Sequence, residues 1–199
     1  MRAASENKRV CVFTGANSGA RTEYTLATQQ LARELVSRGH ELVYGGGRVG
    51  LMGVLADAVL ACGGKVVGVI PEALAAKEVA HQGLTDLRLV TSMHERKALM
   101  SDLADAFVAL PGGLGTLDEY FEILTWAQLG LHAKPCGMLN VCNYFDPLLA
   151  FLDRAVTERF VKTEHRAMII TAESPAVLLD RMASYQPPCV QKWIDRKTS

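Results

Sequence analysis

Short apolar, β-branched runs alternate with longer segments whose apolar residues recur every three or four positions, from residue 9 to residue 182. The first run, R-V-C-V-F-T-G at 9–15, holds four apolar residues in succession, so both of its faces need covering. Further strands are expected at 41–45, 65–70, 87–90, 106–110, 136–140 and 168–171. Helical spacing occupies 23–38, 51–61, 93–103, 116–129, 146–159 and 175–182. Residues 72–85 have no clean period and read as an irregular or short-helical excursion. Buried strands alternating with amphipathic helices specify a mainly parallel sheet with helices on both faces and right-handed crossovers. The fold class is therefore α/β: a single doubly wound domain of about seven strands over residues 1–199, with polar arms at 1–8 and 186–199. No internal repeat or linker divides it.

Charge excludes several kinds of partner. Lys plus Arg and Asp plus Glu are 21 each, so there is no global field to gather nucleic acid or an anionic membrane. The longest stretch without a charge, 106–117, is 12 residues, well short of the roughly 20 that a spanning helix needs. Lys8 and Arg9 precede an apolar run, but that run is short, β-branched and broken by glycine, as suits a buried strand better than a secretory signal. The cysteines at 11, 62, 136, 142 and 189 form no C-x-x-C pair, a reduced, cytoplasmic pattern that implies neither a disulfide framework nor a metal site. Cys11 and Cys136 lie inside apolar runs and are expected in the core.

Ligands of doubly wound sheets bind beyond the carboxyl ends of the strands, so chemistry belongs in the strand-to-helix turns. Four of these are unusual: T-G-A-N-S-G at 14–19, G-G-G-R-V-G at 45–50, T-S-M-H-E-R-K at 91–97 and P-G-G-L-G-T-L-D-E at 111–119. The second formally matches G-x-G-x-x-G, with Glu72 some way on, as in a dinucleotide site. It follows the second strand rather than the first, however, and such glycines also make plain tight turns. In the fourth turn Gly112, Gly113 and Gly115 expose backbone N–H groups, and a helix starting near Thr116 adds its unpaired amides and positive dipole end. That combination makes a phosphate cradle, with the Thr116 hydroxyl as a further donor. A capped helix with acids in its first turn would account for Thr116 and one carboxylate, but not for three glycines beside them.

Helical geometry puts Glu119, Glu122 and Trp126 on one face, with Thr125 bordering it and Asp118 turned about 100° away. A carboxylate so close behind a phosphate cradle stands near the ligand's sugar, a position for cutting a glycosidic bond. In the third turn Arg96 and Lys97 lie early in a helix, where cations oppose the dipole. They either form a solvated face, with Glu95 paired to one of them, or meet a phosphate or developing anion.

These motifs resemble those of the Lonely Guy (LOG) family, the cytokinin riboside 5′-monophosphate phosphoribohydrolases. P-G-G-L-G-T-L-D-E matches the family's PGGxGTxxE, and M-H-E-R-K at 93–97 matches its second motif at the family's spacing. The likeness continues through Y-G-G-G-R-V-G-L-M-G (44–53), V-I-P-E-A-L and I-L-T-W-A-Q-L-G (123–130), covering about residues 9–180. It implies a Rossmann-like homodimer that cleaves adenine nucleotides, including N6-modified cytokinin ribotides, to free base and ribose 5-phosphate without a cofactor. By position it assigns catalysis to Arg96 and Glu119, and substrate binding to Glu78, Arg96, Lys97, Gly113, Leu114, Gly115, Thr116, Glu119 and Thr125. Gly112, Glu122, Gly46 from the second turn, and Ser18 and Gly19 from the first complete the candidate binding set. The first turn departs from the family's C-G-S-S-x-G at Thr14, Ala16 and Asn17, which bears on base or phosphate preference more than on reaction type.

In the implied mechanism Glu119 stabilises an oxocarbenium-like ribose and activates water, while Arg96 balances charge on the phosphate or positions Glu119. Direct attack by Glu119 stays open, and Glu122 is either a second acid or a neighbour that raises the Glu119 pKa. The family has also carried the label lysine decarboxylase, but the sequence shows no pyridoxal-phosphate lysine environment. The main alternative is a non-catalytic nucleotide or molybdenum-cofactor carrier with the same cradle; an NAD(P)-dependent oxidoreductase is more distant.

Overall fold

The computed structural model describes residues 8–75 and 79–188, so most of both arms, Glu78 and Cys189 lie outside the described residues. Its strands are β1 (Arg9–Phe13), β2 (Glu41–Tyr44), β3 (Val66–Pro71), β4 (Asp86–Val90), β5 (Ala106–Ala109), β6 (Cys136–Leu139) and β7 (Ile169–Ala172). They form one seven-stranded sheet in the order β4-β3-β2-β1-β5-β6-β7, and every neighbouring pair is parallel. The helices are α1 (Thr22–Ser37), α2 (Gly50–Ala61), α3 (Glu72–Ala75), α4 (Met93–Leu103), α5 (Leu114–Gln128), α6 (Asp146–Thr157), α7 (Thr163–Arg166) and α8 (Pro175–Ala183).

Strand periodicity sorts the core into two layers. Val10, Val12, Leu42, Tyr44 and Val108 face α1, α2 and α8, meeting Leu31, Leu35, Leu55, Val59 and Leu178. Their neighbours Cys11, Phe13, Val43, Phe107 and Ala109 face the other way, against Met100 of α4, Tyr120, Ile123 and Leu124 of α5, and Leu152 of α6. Each fully buried aliphatic or aromatic side chain contributes about 1.5–3 kcal/mol. Cys11 and Cys136 are both core residues, as expected, and burial pushes their thiols up in pKa, Cys136 to about 12. Among the described residues no helix is long and apolar enough to cross a membrane.

The stretch 72–85 holds the short helix α3, as expected, and then pairs Ala80 with Gly47 in an isolated antiparallel bridge. Several element boundaries move by one or two residues, two of them with consequences. α6 stops at Thr157 rather than 159, because Arg159 adopts φ 65 and ends the helical path. α5 begins at Leu114, with Gly113 rather than Thr116 at its N-terminal cap. Consequently α5 has no acid in its first turn, and the helix dipole does not account for Asp118 or Glu119.

The strand order reverses between β1 and β5: β2 leaves to one side of β1, and β6 to the far side of β5. The turns after β1 and β5 therefore diverge over a crevice at their carboxyl ends. Gly15 N–H donates to the Pro111 carbonyl (3.2 Å), tying the two turns together.

Candidate active site

A cavity of about 410 Å³ opens at this reversal, within the range of small-ligand sites. It brings together Ser18 and Gly19 from the first turn, Gly112, Gly113, Gly115 and Thr116 from the fourth, and Arg96 and Glu119. Leu114 is almost fully exposed and points away from it. Lys97, Glu122, Thr125 and Gly46 do not line it either, and Glu78 is outside the described residues. Leu51 and Met52, from the 44–53 segment, also line the cavity, as do Tyr24 and Tyr144, which gave no sequence signal. Tyr144 could not be singled out, since V-C-N-Y-F carries no motif and only the sheet order brings it to the fourth turn.

The two glycine turns serve different ends. In the second, Gly45 makes room for Arg96, whose Nη2 would sit 1.9 Å from an added Cβ. Gly50, at φ +57, lets α2 start against the first turn, since its Cβ would meet the Ala16 carbonyl carbon at 2.3 Å. Internal packing thus explains these glycines without a dinucleotide. In the fourth turn Gly112 is equally required, because a Cβ there would lie 2.1 Å from the Thr116 hydroxyl. Gly113 and Gly115 are different: beyond their chain neighbours and the helix's own backbone, no protein atom lies within 4 Å of an added Cβ, and neither has a positive φ. The fold does not demand glycine at either place, and the space above them opens on the cavity. The first-turn amides of α5 present that space with N–H groups left over by helix geometry.

Arg96 is delivered by a well-capped helix. The Ser92 hydroxyl accepts from Glu95 N–H (3.1 Å), while the Glu95 carboxylate takes the Thr91 N–H (2.8 Å) and hydroxyl (2.7 Å). Glu95 is therefore committed to the cap and does not pair with Arg96 or Lys97. The buried guanidinium donates through Nε to the Val69 carbonyl (3.1 Å) and through Nη2 to the Gly45 carbonyl (2.9 Å). Its Nη1 faces Glu119 Oε1 at 3.5 Å, wider than the roughly 2.7–2.9 Å of a charge-assisted hydrogen bond. Two carbonyls hold the cation, and the carboxylate keeps its lone pairs available.

Glu119 is only 13% exposed, and that burial raises its pKa above the ordinary carboxylate range. Arg96 and Lys97 pull it back down, and Asp118 and Glu122 push it up. The direct partner of Glu122 is Lys97 (3.0 Å), which also reaches Asp118 (3.3 Å). Burial lowers the Lys97 pKa, but the two carboxylates outweigh it and leave the ammonium above its usual value. Thr125 donates to the Phe121 carbonyl within its own helix (2.8 Å). Among the described residues no lysine lines the cavity.

Fold and site together define a doubly wound α/β protein with an anion-receptive turn and a buried acid–arginine pair where its strand order reverses. A family model described as "Possible lysine decarboxylase" matches residues 52–182. The probable cytokinin riboside 5′-monophosphate phosphoribohydrolase LOGL9 of Oryza sativa subsp. japonica is 51% identical over 92% of this chain and 81% of its own. The cytokinin riboside 5′-monophosphate phosphoribohydrolase LOG of the same plant is 48% identical, over 92% and 76%. This chain belongs to the cytokinin riboside 5′-monophosphate phosphoribohydrolase (LOG) family. Among solved structures, a molybdenum cofactor binding protein from Rippkaea orientalis superposes with a TM-score of 0.69 at 19% identity, covering 91% of this chain and 98% of that one. The molybdenum cofactor carrier protein of Chlamydomonas reinhardtii gives 0.67 at 15%, covering 90% and 100%. At such identities the likeness concerns the fold.

Proposed function

We propose that the protein hydrolyses the N-glycosidic bond of adenine and N6-modified adenine (cytokinin) nucleoside 5′-monophosphates, releasing the free base and ribose 5-phosphate. The observation that carries this is one cavity holding both an unfilled glycine turn on a helix N-terminus and a buried, pKa-raised carboxylate. The 5′-phosphate lies on Gly113, Gly115 and the first amides of α5. Glu119, five residues after Leu114, stands about 7.5 Å further along the helix axis. From there it meets the sugar rather than the phosphate.

As the bond from C1′ to the base nitrogen lengthens, the ribose gains positive charge, which the Glu119 carboxylate stabilises while accepting a proton from water. Water oxygen bonds to C1′, and the departing nitrogen takes up a proton. A raised pKa makes Glu119 a stronger base in its ionised form, and positioned proton transfer is typically worth about 10²–10⁴ in rate. Arg96, fixed by two carbonyls, keeps enough Glu119 ionised and adds positive charge on the phosphate side. Lys97 supports the face through Asp118 and Glu122. A homodimer, expected of the family, would show as twice the chain mass in light scattering.

The test is product analysis of the wild type and Glu119→Gln with AMP and isopentenyladenosine monophosphate. The wild type should release base and ribose 5-phosphate in equal amounts, and the variant should bind nucleotide while turning over at least 100-fold more slowly. Nucleotide bound intact by both proteins would favour a carrier, as the superposing Chlamydomonas reinhardtii molybdenum cofactor carrier protein is named.

A further inference from the structure

We propose that Tyr144 is a positioning residue for the phosphate cradle: its hydroxyl latches the Gly112–Gly113 peptide so that the Gly113 N–H is held for the phosphate. The inference rests on the phosphate lying at the glycine turn.

The Tyr144 hydroxyl donates to the Gly112 carbonyl at 2.6 Å, across 32 residues of chain. In a trans peptide the carbonyl and the following N–H point in opposite directions. Fixing the Gly112 oxygen therefore fixes the Gly113 N–H, and Gly113 is the N-terminal cap of α5. The turn needs such a hold. Glycine has the widest backbone freedom, and no protein atom crowds the open side of Gly113 or Gly115.

The segment carrying Tyr144 has the marks of being held in place. Cys142 and Asn143 adopt φ 52 and 60, a left-handed conformation unusual for two successive non-glycine residues. Asn140 fastens its far side, accepting from Phe145 N–H (2.7 Å) and donating to Asp146 (2.7 Å). The Tyr144 ring meets Tyr24 edge-on, with centroids 5.7 Å apart, and Phe145 at 5.1 Å. Tyr24 in turn occupies the space over Gly19, where an added Cβ would lie 2.7 Å from its ring. A chain of contacts thus runs Gly19–Tyr24–Tyr144–Gly112, in addition to the Gly15–Pro111 hydrogen bond. The two turns are joined by both, and Tyr144 is the side-chain clasp.

The test compares the wild type with Tyr144→Phe, which keeps the ring and its packing but loses the latch. Inorganic phosphate and ribose 5-phosphate binding, read as thermal stabilisation, should weaken about three- to tenfold, and the KM for AMP should rise equally, the order of one hydrogen bond. The kcat should stay within about twofold, and the ligand-free Tm should fall by no more than the loss of one hydrogen bond explains. Equal phosphate affinity in the two proteins would overturn the latch, as would an equal weakening of the binding of adenosine, which lacks the phosphate. Phosphate affinity is read without turnover, so weakened binding in a protein that releases no base would leave the latch standing and remove the hydrolase.

Discussion

At the scale of single residues, function and stability oppose each other at Glu119. Its pKa is raised in the folded state, so its stabilising contribution is complete below the unfolded value near 4.3 and is lost as pH rises through the folded value. At neutral pH the buried charge is therefore a net cost. Glu119→Gln should melt at a higher temperature than the wild type at pH 7, and the gap should close in scans taken near pH 4. The same shift sets the acid limb of kcat/KM above the ordinary carboxylate range, since base catalysis needs the ionised form. Arg96→Gln removes the main lowering influence and should move that limb further up. Gly45→Ala would thrust a methyl into the Arg96 guanidinium. Losing charge-assisted hydrogen bonds worth about 1.5–3 kcal/mol should lower kcat/KM by roughly 10–100-fold. Glu119 and Arg96 were legible in the sequence through their motifs. The purpose of Gly45 was not, because the guanidinium it accommodates comes from 51 residues further along the chain.

At the scale of elements, the first turn of α5 yields a prediction of opposite signs. Gly115 sits inside the helix, in open space and without a positive φ, so alanine there should add about 1 kcal/mol of helix stability. If a phosphate rests on that glycine, Gly115→Ala should raise Tm and at the same time weaken phosphate and AMP binding. A rise in both would show that the space is not used. The start of α5 was misplaced by two residues in the sequence because Thr116 is the better capping residue by type. Tertiary contact overrides that preference: the Thr116 hydroxyl packs against Gly112, and Gly113 caps by default. The Ser92–Glu95 cap of α4 was missed in the sequence, where Glu95 reads as an ion-pair partner of Arg96 or Lys97. Ser92→Ala should cost about 0.5–2 kcal/mol in denaturant melts.

At the scale of the whole molecule, alternating patterning gave a parallel sheet with helices on both faces, but not the order of its strands. That order depends on which right-handed crossovers pass which face, and it decides that the turns after β1 and β5 face each other. Core substitutions far from this crevice should separate stability from chemistry. Leu35→Ala, on the α1 face, should cost about 2–5 kcal/mol in unfolding experiments and leave the KM for AMP unchanged. The reversal has a further consequence for how the protein comes into being. Tyr24, Arg96, Glu119 and Tyr144 are spread along much of the chain, and β1 meets β5 only by closing a loop of nearly a hundred residues. Such distant closures are slow steps in folding. A nascent or partly refolded chain therefore has no half-built cavity to work with, and the return of catalysis after denaturation should coincide with the last pairing of the sheet.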